Sequence, residues 1–209
     1  MSVQPLQPRP PHLPRPFLFP AALRPTALAV LRELDIAPTD AGPRCELLSI
    51  GGEPLTLPCR IYSPLSRLQT VVDNASGDAR TFASCLATRH WDGHEREAYL
   101  RRLLDRVEHP WVVPFVVQLL GEYVVEIAQV IEAGVPGFDP LLFGAFARAN
   151  AAYMATTRRR AVSDWDCYYR TRYRSLADYP AWRALTAIED MARTTAQTQS
   201  EGAACAGRP

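Results

Sequence analysis

Between residues 110 and 131 apolar side chains fill nearly every position, and the polar interruptions are Gln118, Glu122, Glu126 and Gln129. A segment that is hydrophobic on almost every face predicts one long helix at the centre of a helical core. The four polar residues are spaced by four, four and three, which places them in one stripe along that helix. Elsewhere the apolar period is that of shorter amphipathic helices, over residues 27–36, 80–89, 95–107, 140–160, 163–169 and 178–193. Asp139 followed by Pro140 reads as an N-cap and first helical residue, while Ser163 with Asp166 reads as a capping box and Asp178 as a further cap.

One stretch has a different pattern. Residues 45–50 and 55–62 are short apolar runs flanking Gly51, Gly52, Glu53 and Pro54, which predicts a β-hairpin. Pro58 lacks an amide donor, so the second strand is expected at an edge or irregular. Residues 63–79 read as polar and turn-rich. The fold class that follows is mostly α, a compact helical-repeat-like bundle with a short N-terminal β-hairpin. It comprises a proline-rich disordered tail over residues 1–20, one helical domain over 21–193 with its hairpin at 45–62 and main helices at 80–193, and a disordered tail over 194–209.

Composition narrows the function classes. The 209 residues suit one domain. All 23 basic residues are arginine, balanced by 22 acidic ones, so no global basic surface argues for nucleic acid. The five cysteines lack a paired spacing, and neither a disulfide framework nor a zinc site is suggested. No secretory signal pattern or membrane span is read, which makes the cytoplasm the expected location. Seven prolines fall in residues 1–20, with Pro8 and Pro11 in a PxxP spacing open to a proline-reading partner.

The run from Trp91 and Asp92 through Gly93, His94, Glu95, Arg96 and Ala98 to Leu103 resembles the turn and second helix of a HEAT-type repeat. Asp92 takes the place of the family's turn aspartate, Arg96 that of its arginine, and Ala98 and Leu103 those of its inward residues. The resemblance covers about residues 80–133 and implies paired helices that present a side-chain surface to a protein partner.

Candidate chemistry lies in three places. Glu122 and Glu126 are either the wet edge of a buried helix, or carboxylates buried against arginines such as Arg96 or Arg101, or ligands of a carboxylate-bridged metal. The last lacks the usual Glu-x-x-His on partner helices. His90 and His94 have a metal-ligand spacing only on an unbroken helix, and Gly93 argues for a turn with exposed imidazoles. Residues 158–174 mix Arg158, Arg159, Arg160, Arg170, Arg172 and Arg174 with Trp165, Tyr168, Tyr169 and Tyr173. Such a mixture either packs helices or stacks bases and clamps phosphates. No phosphate loop, HExxH or nucleophile elbow is present, and Cys85 on an apolar face reads as a buried thiol. The expectation is a protein-interaction or scaffold module without catalytic residues, metal or cofactor. It would bind through Asp92, Arg96, Glu122, Glu126, Arg158, Arg159, Arg160, Trp165, Tyr169 and Arg170. RNA or single-stranded nucleic acid binding through residues 158–174 is the alternative, and a metal-dependent enzyme a more distant one.

Overall fold

A computed structural model of the chain describes residues 19–36, 45–105 and 107–206. The PxxP spacing, His12 and most of the proline-rich segment lie outside the described residues. Described elements run in the order α1 (Arg24–Glu33), β1 (Cys45–Ile50), β2 (Glu53–Pro58), α2 (Leu65–Asn74), α3 (Gly77–Ala87), α4 (Gly93–Leu104), α5 (Val113–Leu119), α6 (Val125–Gly134), α7 (Pro140–Ala149), α8 (Ala151–Asp164) and α9 (Pro180–Ala206). Among the described residues the protein is mostly helical, with one two-stranded antiparallel sheet. None of these helices is long and apolar enough by itself to cross a membrane.

The hairpin forms with its first strand over the expected residues, while its second strand is Glu53–Pro58 and not 55–62. Gly51 and Gly52 both have positive φ, 58° and 85°, the geometry of a two-residue turn that suits the right-handed twist of its strands. Leu48 pairs with Leu55 and Ser49 with Pro54, and the buried Leu48, Ile50, Leu55 and Leu57 join the common core. In this register Pro54 and Pro58 fall opposite Ser49 and Cys45, at positions whose amides face away from β1. The prolines therefore cost the ladder nothing.

Several elements depart from the sequence reading, each for a local reason. The stretch 110–131 is not one helix. After α5 the chain closes a tight turn in which Gly121 N donates to Gln118 O and Glu122 N to Leu119 O, and α6 starts at Val125. Gly121 permits this, because a Cβ there would meet Thr157 and Arg160 of α8 within 3.4 Å. Residues 140–160 also split. Asn150 leaves helical geometry (φ −126°, ψ 40°), and its side chain accepts from Ser49 N at 2.7 Å and donates to Ser49 O at 2.9 Å, tying the helix junction to β1. Residues 65–74, read as turn-rich, form α2, whose buried Leu68, Val71 and Val72 supply one apolar stripe.

The tails expected over 1–20 and 194–209 both overlap ordered elements, the first ending too late and the second beginning too early. Phe19 is fully buried and stacks among Phe82, Trp111 and Phe115. At the other end α9 continues to Ala206, and Thr195 is buried against α7. The caps fare unevenly. Asp139 accepts from Leu141 N at 2.7 Å with Pro140 in the first turn, as expected. Ser163 and Asp166 form no capping box, since α8 passes into a π-helical turn over Trp165–Tyr169. Asp178 instead ends a short 3-10 turn capped by Ser175.

The approach of α9 to α7 depends on Gly144. A Cβ at that position would lie 2.8 Å from Thr195 Oγ1 and 2.9 Å from Met191 O, the latter a backbone atom that cannot swing aside. Gly144→Ala is therefore expected to destabilise the protein by about 1–3 kcal/mol despite alanine's better helix propensity. Urea unfolding checks this, and an unchanged or higher midpoint would refute the close packing of α9.

Candidate functional site

The turn between α5 and α6 delivers Glu122 into the protein, where it is buried. Three arginines from three separate segments converge on its carboxylate. Arg60, just beyond β2, grips it with both nitrogens, Nη1 to Oε1 at 2.8 Å and Nη2 to Oε2 at 3.1 Å. Arg89, at the end of α3 and fully buried, donates Nη1 to Oε1 at 3.2 Å. Arg96, in the first turns of α4, brings Nε within 3.0 Å of Oε2, an ion-pair distance without hydrogen-bond alignment. A buried carboxylate needs such partners because the interior cannot solvate it, and planar guanidinium groups match its two oxygens.

Each arginine is also held by backbone. Arg60 Nη1 donates to Cys59 O at 2.6 Å, and Arg96 Nη1 to His90 O and Trp91 O at 3.0 and 2.9 Å. Ile61 N donates to Arg89 O at 2.9 Å, and Ile61 and His90 form a parallel bridge that lays the strand exit beside the α3–α4 turn. Asp92 accepts from His94 N at 2.8 Å and so starts α4, the helix that carries Arg96. Burial lowers the proton affinity of Arg89 and Arg96, while Glu122 beside them works to keep both charged. Guanidinium groups hold their proton under such pressure, so Arg89 and Arg96 remain cationic.

Charge around Glu122 is lopsided. Three guanidinium groups face one carboxylate, and Asp92, whose charge is felt by Arg96, offsets part of the surplus. Arg89 Nη2 is buried with no hydrogen-bond partner among the described residues. Asp164 also feels Glu122, and burial first, then that neighbouring charge, pushes its carboxyl up to about 6 against the opposing pull of Arg160.

The structure relocates several expected site residues. Glu122 is buried and paired with Arg96, while Arg101 pairs with Glu97 on the surface of α4. Glu126 is exposed on α6, so it and Glu122 do not share a wet stripe, and Gln118 is buried with Nε2 near Cys59 Sγ. Arg60 and Arg89 went unnoticed in the sequence. Their only signal was position, one ending an apolar strand and the other closing a run that is buried from Phe82 to His90. His90 is buried and its Nδ1 accepts from Asp92 N, whereas His94 is exposed, so the turn does not present two exposed imidazoles. Among the described residues no three His, Cys, Asp or Glu side chains gather as a metal ion would require.

Residues 158–174 are largely engaged in holding the fold. Arg158 lies 3.8 Å from the Trp182 ring centroid and pairs with Glu189, Arg170 pairs with Asp166 at 2.7 Å, and Trp165 Nε1 donates to Tyr173 O at 2.8 Å. Tyr169 OH donates to Tyr123 O and accepts from Val125 N, which fastens the π-helical turn to the Glu122 turn. Arg159 is exposed, with Nη2 donating to Thr156 Oγ1 at 2.8 Å, and Arg160 is exposed at the rim, where its charge acts on Asp164. Cys85 is sealed in the core, which pushes its thiol well above the usual value and leaves it a poor nucleophile.

Removing Glu122 strands three cations, two of them buried. Glu122→Ala is expected to cost about 3–5 kcal/mol, whereas Glu126→Ala on the exposed face stays within about 0.5 kcal/mol. Equal small effects in urea unfolding would refute the buried cluster. Asp164 gives a pH signature. Its carboxyl ionises at 3.8 when exposed in the unfolded chain but near 6 in the fold, so the native state binds more protons between those values. The group's contribution to stability therefore falls as pH rises from about 4 to about 6 and is level above that. Asp164→Asn removes this slope, and its melting temperature relative to wild type is expected to rise over that window. Parallel pH profiles for the two proteins would contradict it.

No family model, curated protein or solved structure matches the chain.

Proposed function

We propose that this protein is a protein-interaction module whose binding face surrounds the Glu122 cluster. One observation carries the reading. Of the large hydrophobic side chains exposed among the described residues, Tyr62 (81%), Trp91 (60%) and Tyr123 (59%) each stand within two residues of an arginine or the glutamate of that cluster. Tyr168 (66%) packs on Tyr123 at 6.3 Å between ring centroids. Tyrosine, tryptophan and arginine are the residue types that concentrate binding energy at interfaces, and exposed aromatic surface is costly to leave without use.

The backbone behind this face is rigidly held, which limits the entropy lost on binding. The bridge between Ile61 and His90 sets Tyr62 beside Trp91 in chain position, and the Tyr169 contact fixes the carbonyl of Tyr123. Of the residues that carry the repeat resemblance, Asp92 caps its turn and Arg96 and Leu103 are buried, while Ala98 is exposed. Absence of disulfides at Cys59, Cys85 and Cys167 suits a reducing compartment such as the cytoplasm.

Nucleic acid is the weaker reading because two of the six arginines that would clamp phosphates, Arg158 and Arg170, are already paired with Glu189 and Asp166. Tyr62→Ser combined with Trp91→Ser is expected to abolish retention of partner proteins from nuclease-treated lysate while leaving the melting temperature within a few degrees of wild type. Retention that survives these changes would overturn the proposed face, and retention that vanishes with nuclease and with Arg159→Glu would overturn the proposal in favour of nucleic acid.

A further inference from the structure

The partner's chemistry can be read from the charge of the same face, an inference that rests on the interaction reading above. Arg60, Arg89 and Arg96, with Arg160 beside Asp164, set four guanidinium groups against the carboxylates of Glu122, Asp92 and Asp164, so one positive charge is left in excess. Arg89 Nη2, fully buried, has no hydrogen-bond partner among the described residues. Arg60 is the member that reaches solvent, with 28% of its side chain exposed, and it stands two residues from Tyr62. A cationic centre whose solvent-reaching member is close along the chain to exposed aromatic residues has the composition that recognises an acid flanked by apolar residues.

We infer that the occupant of this face is an acidic segment of a partner protein, with an aspartate, a glutamate or a chain-terminal carboxylate reaching Arg60 and apolar neighbours lying on Tyr62, Trp91 and Tyr123. A polyphosphate chain fits less well. The positive charge is concentrated at one point instead of along a track, and Asp92 and Glu126, the latter exposed at the start of α6 beside the Tyr123 turn, repel successive phosphates. A carboxylate needs only the one outlet. Its approach also supplies the counter-charge that Glu122 alone leaves incomplete, which makes binding sensitive to salt.

The probe is a displayed library of short random peptides selected on the full-length protein. Enriched sequences are expected to carry aspartate or glutamate well above their input frequency, next to apolar residues. Binding of a selected peptide should weaken about tenfold on Trp91→Ala and on Arg60→Gln, and less on Arg60→Lys, which keeps the charge. Replacing the peptide's acid by its amide should cost a similar factor, and the wild-type affinity should fall with added salt. Trp91→Ala removes an exposed side chain, so its result stands even if Arg60→Gln weakens the fold. Enrichment of neutral peptides that still need Trp91 and Tyr62 would keep the interaction reading and overturn the acidic partner. Absence of any enrichment, or binding of single-stranded oligonucleotide through the same residues, would overturn both.

Discussion

Three segments distant along the chain meet at the carboxylate of Glu122. Arg60 lies 62 residues before it and Arg89 33 residues before it, and neither is its neighbour through helical periodicity. Ordering one glutamate therefore fixes three segments at once: the exit of the hairpin, the end of α3 and the start of α4. A hydrophobic contact in the same place would hold those segments together without specifying how. The ionic arrangement adds direction, because guanidinium and carboxylate planes must align, and that constraint is strongest where water is excluded.

The cost of such an arrangement is also clear. Burying Arg89 and Arg96, and Arg60 in part, forgoes their hydration, and a well-packed apolar replacement is often as stable as a buried ion pair. Retaining more cations than anions is harder still to explain by stability alone. The surplus makes physical sense if the cluster does more than hold the fold, and its outlet at Arg60, close along the chain to exposed aromatic residues, gives that surplus a direction toward solvent. Structural and binding roles then use the same charges. The rigid side of the cluster is turned inward through Arg89 and Arg96, and the accessible side outward through Arg60.

Local chemistry was legible in the sequence, and long-range chemistry was not. Asp139 with Pro140 marked a helix start because both act within one turn of chain, and Gly51 with Gly52 marked the hairpin because only their backbone freedom was needed. Asp92 and Arg96 were visible for the same reason. The apolar run over residues 110–131 misled, since a buried tight turn needs the same hydrophobic composition as a buried helix, and only Gly121 hinted at the break. Glu122 could be singled out as anomalous and Arg96 named as a partner, yet Arg60 and Arg89 could not, because nothing local distinguishes them from the other arginines. The helix break at Asn150 was hidden likewise: its cause is a pair of hydrogen bonds to a strand 101 residues away.

That contact at Asn150 bears on how this protein can associate. A two-stranded sheet has two open margins, each able to template a strand from another chain. On β1 the outward donor and acceptor of Ser49 are consumed by the Asn150 amide, and on β2 the outward positions at Pro54 and Pro58 offer no donor. Both margins are thus blunted against β-augmentation and the fibrillar growth it invites, one by an amide that imitates a neighbouring strand and the other by imino acids. Recognition by this molecule is left to side chains on a fixed surface.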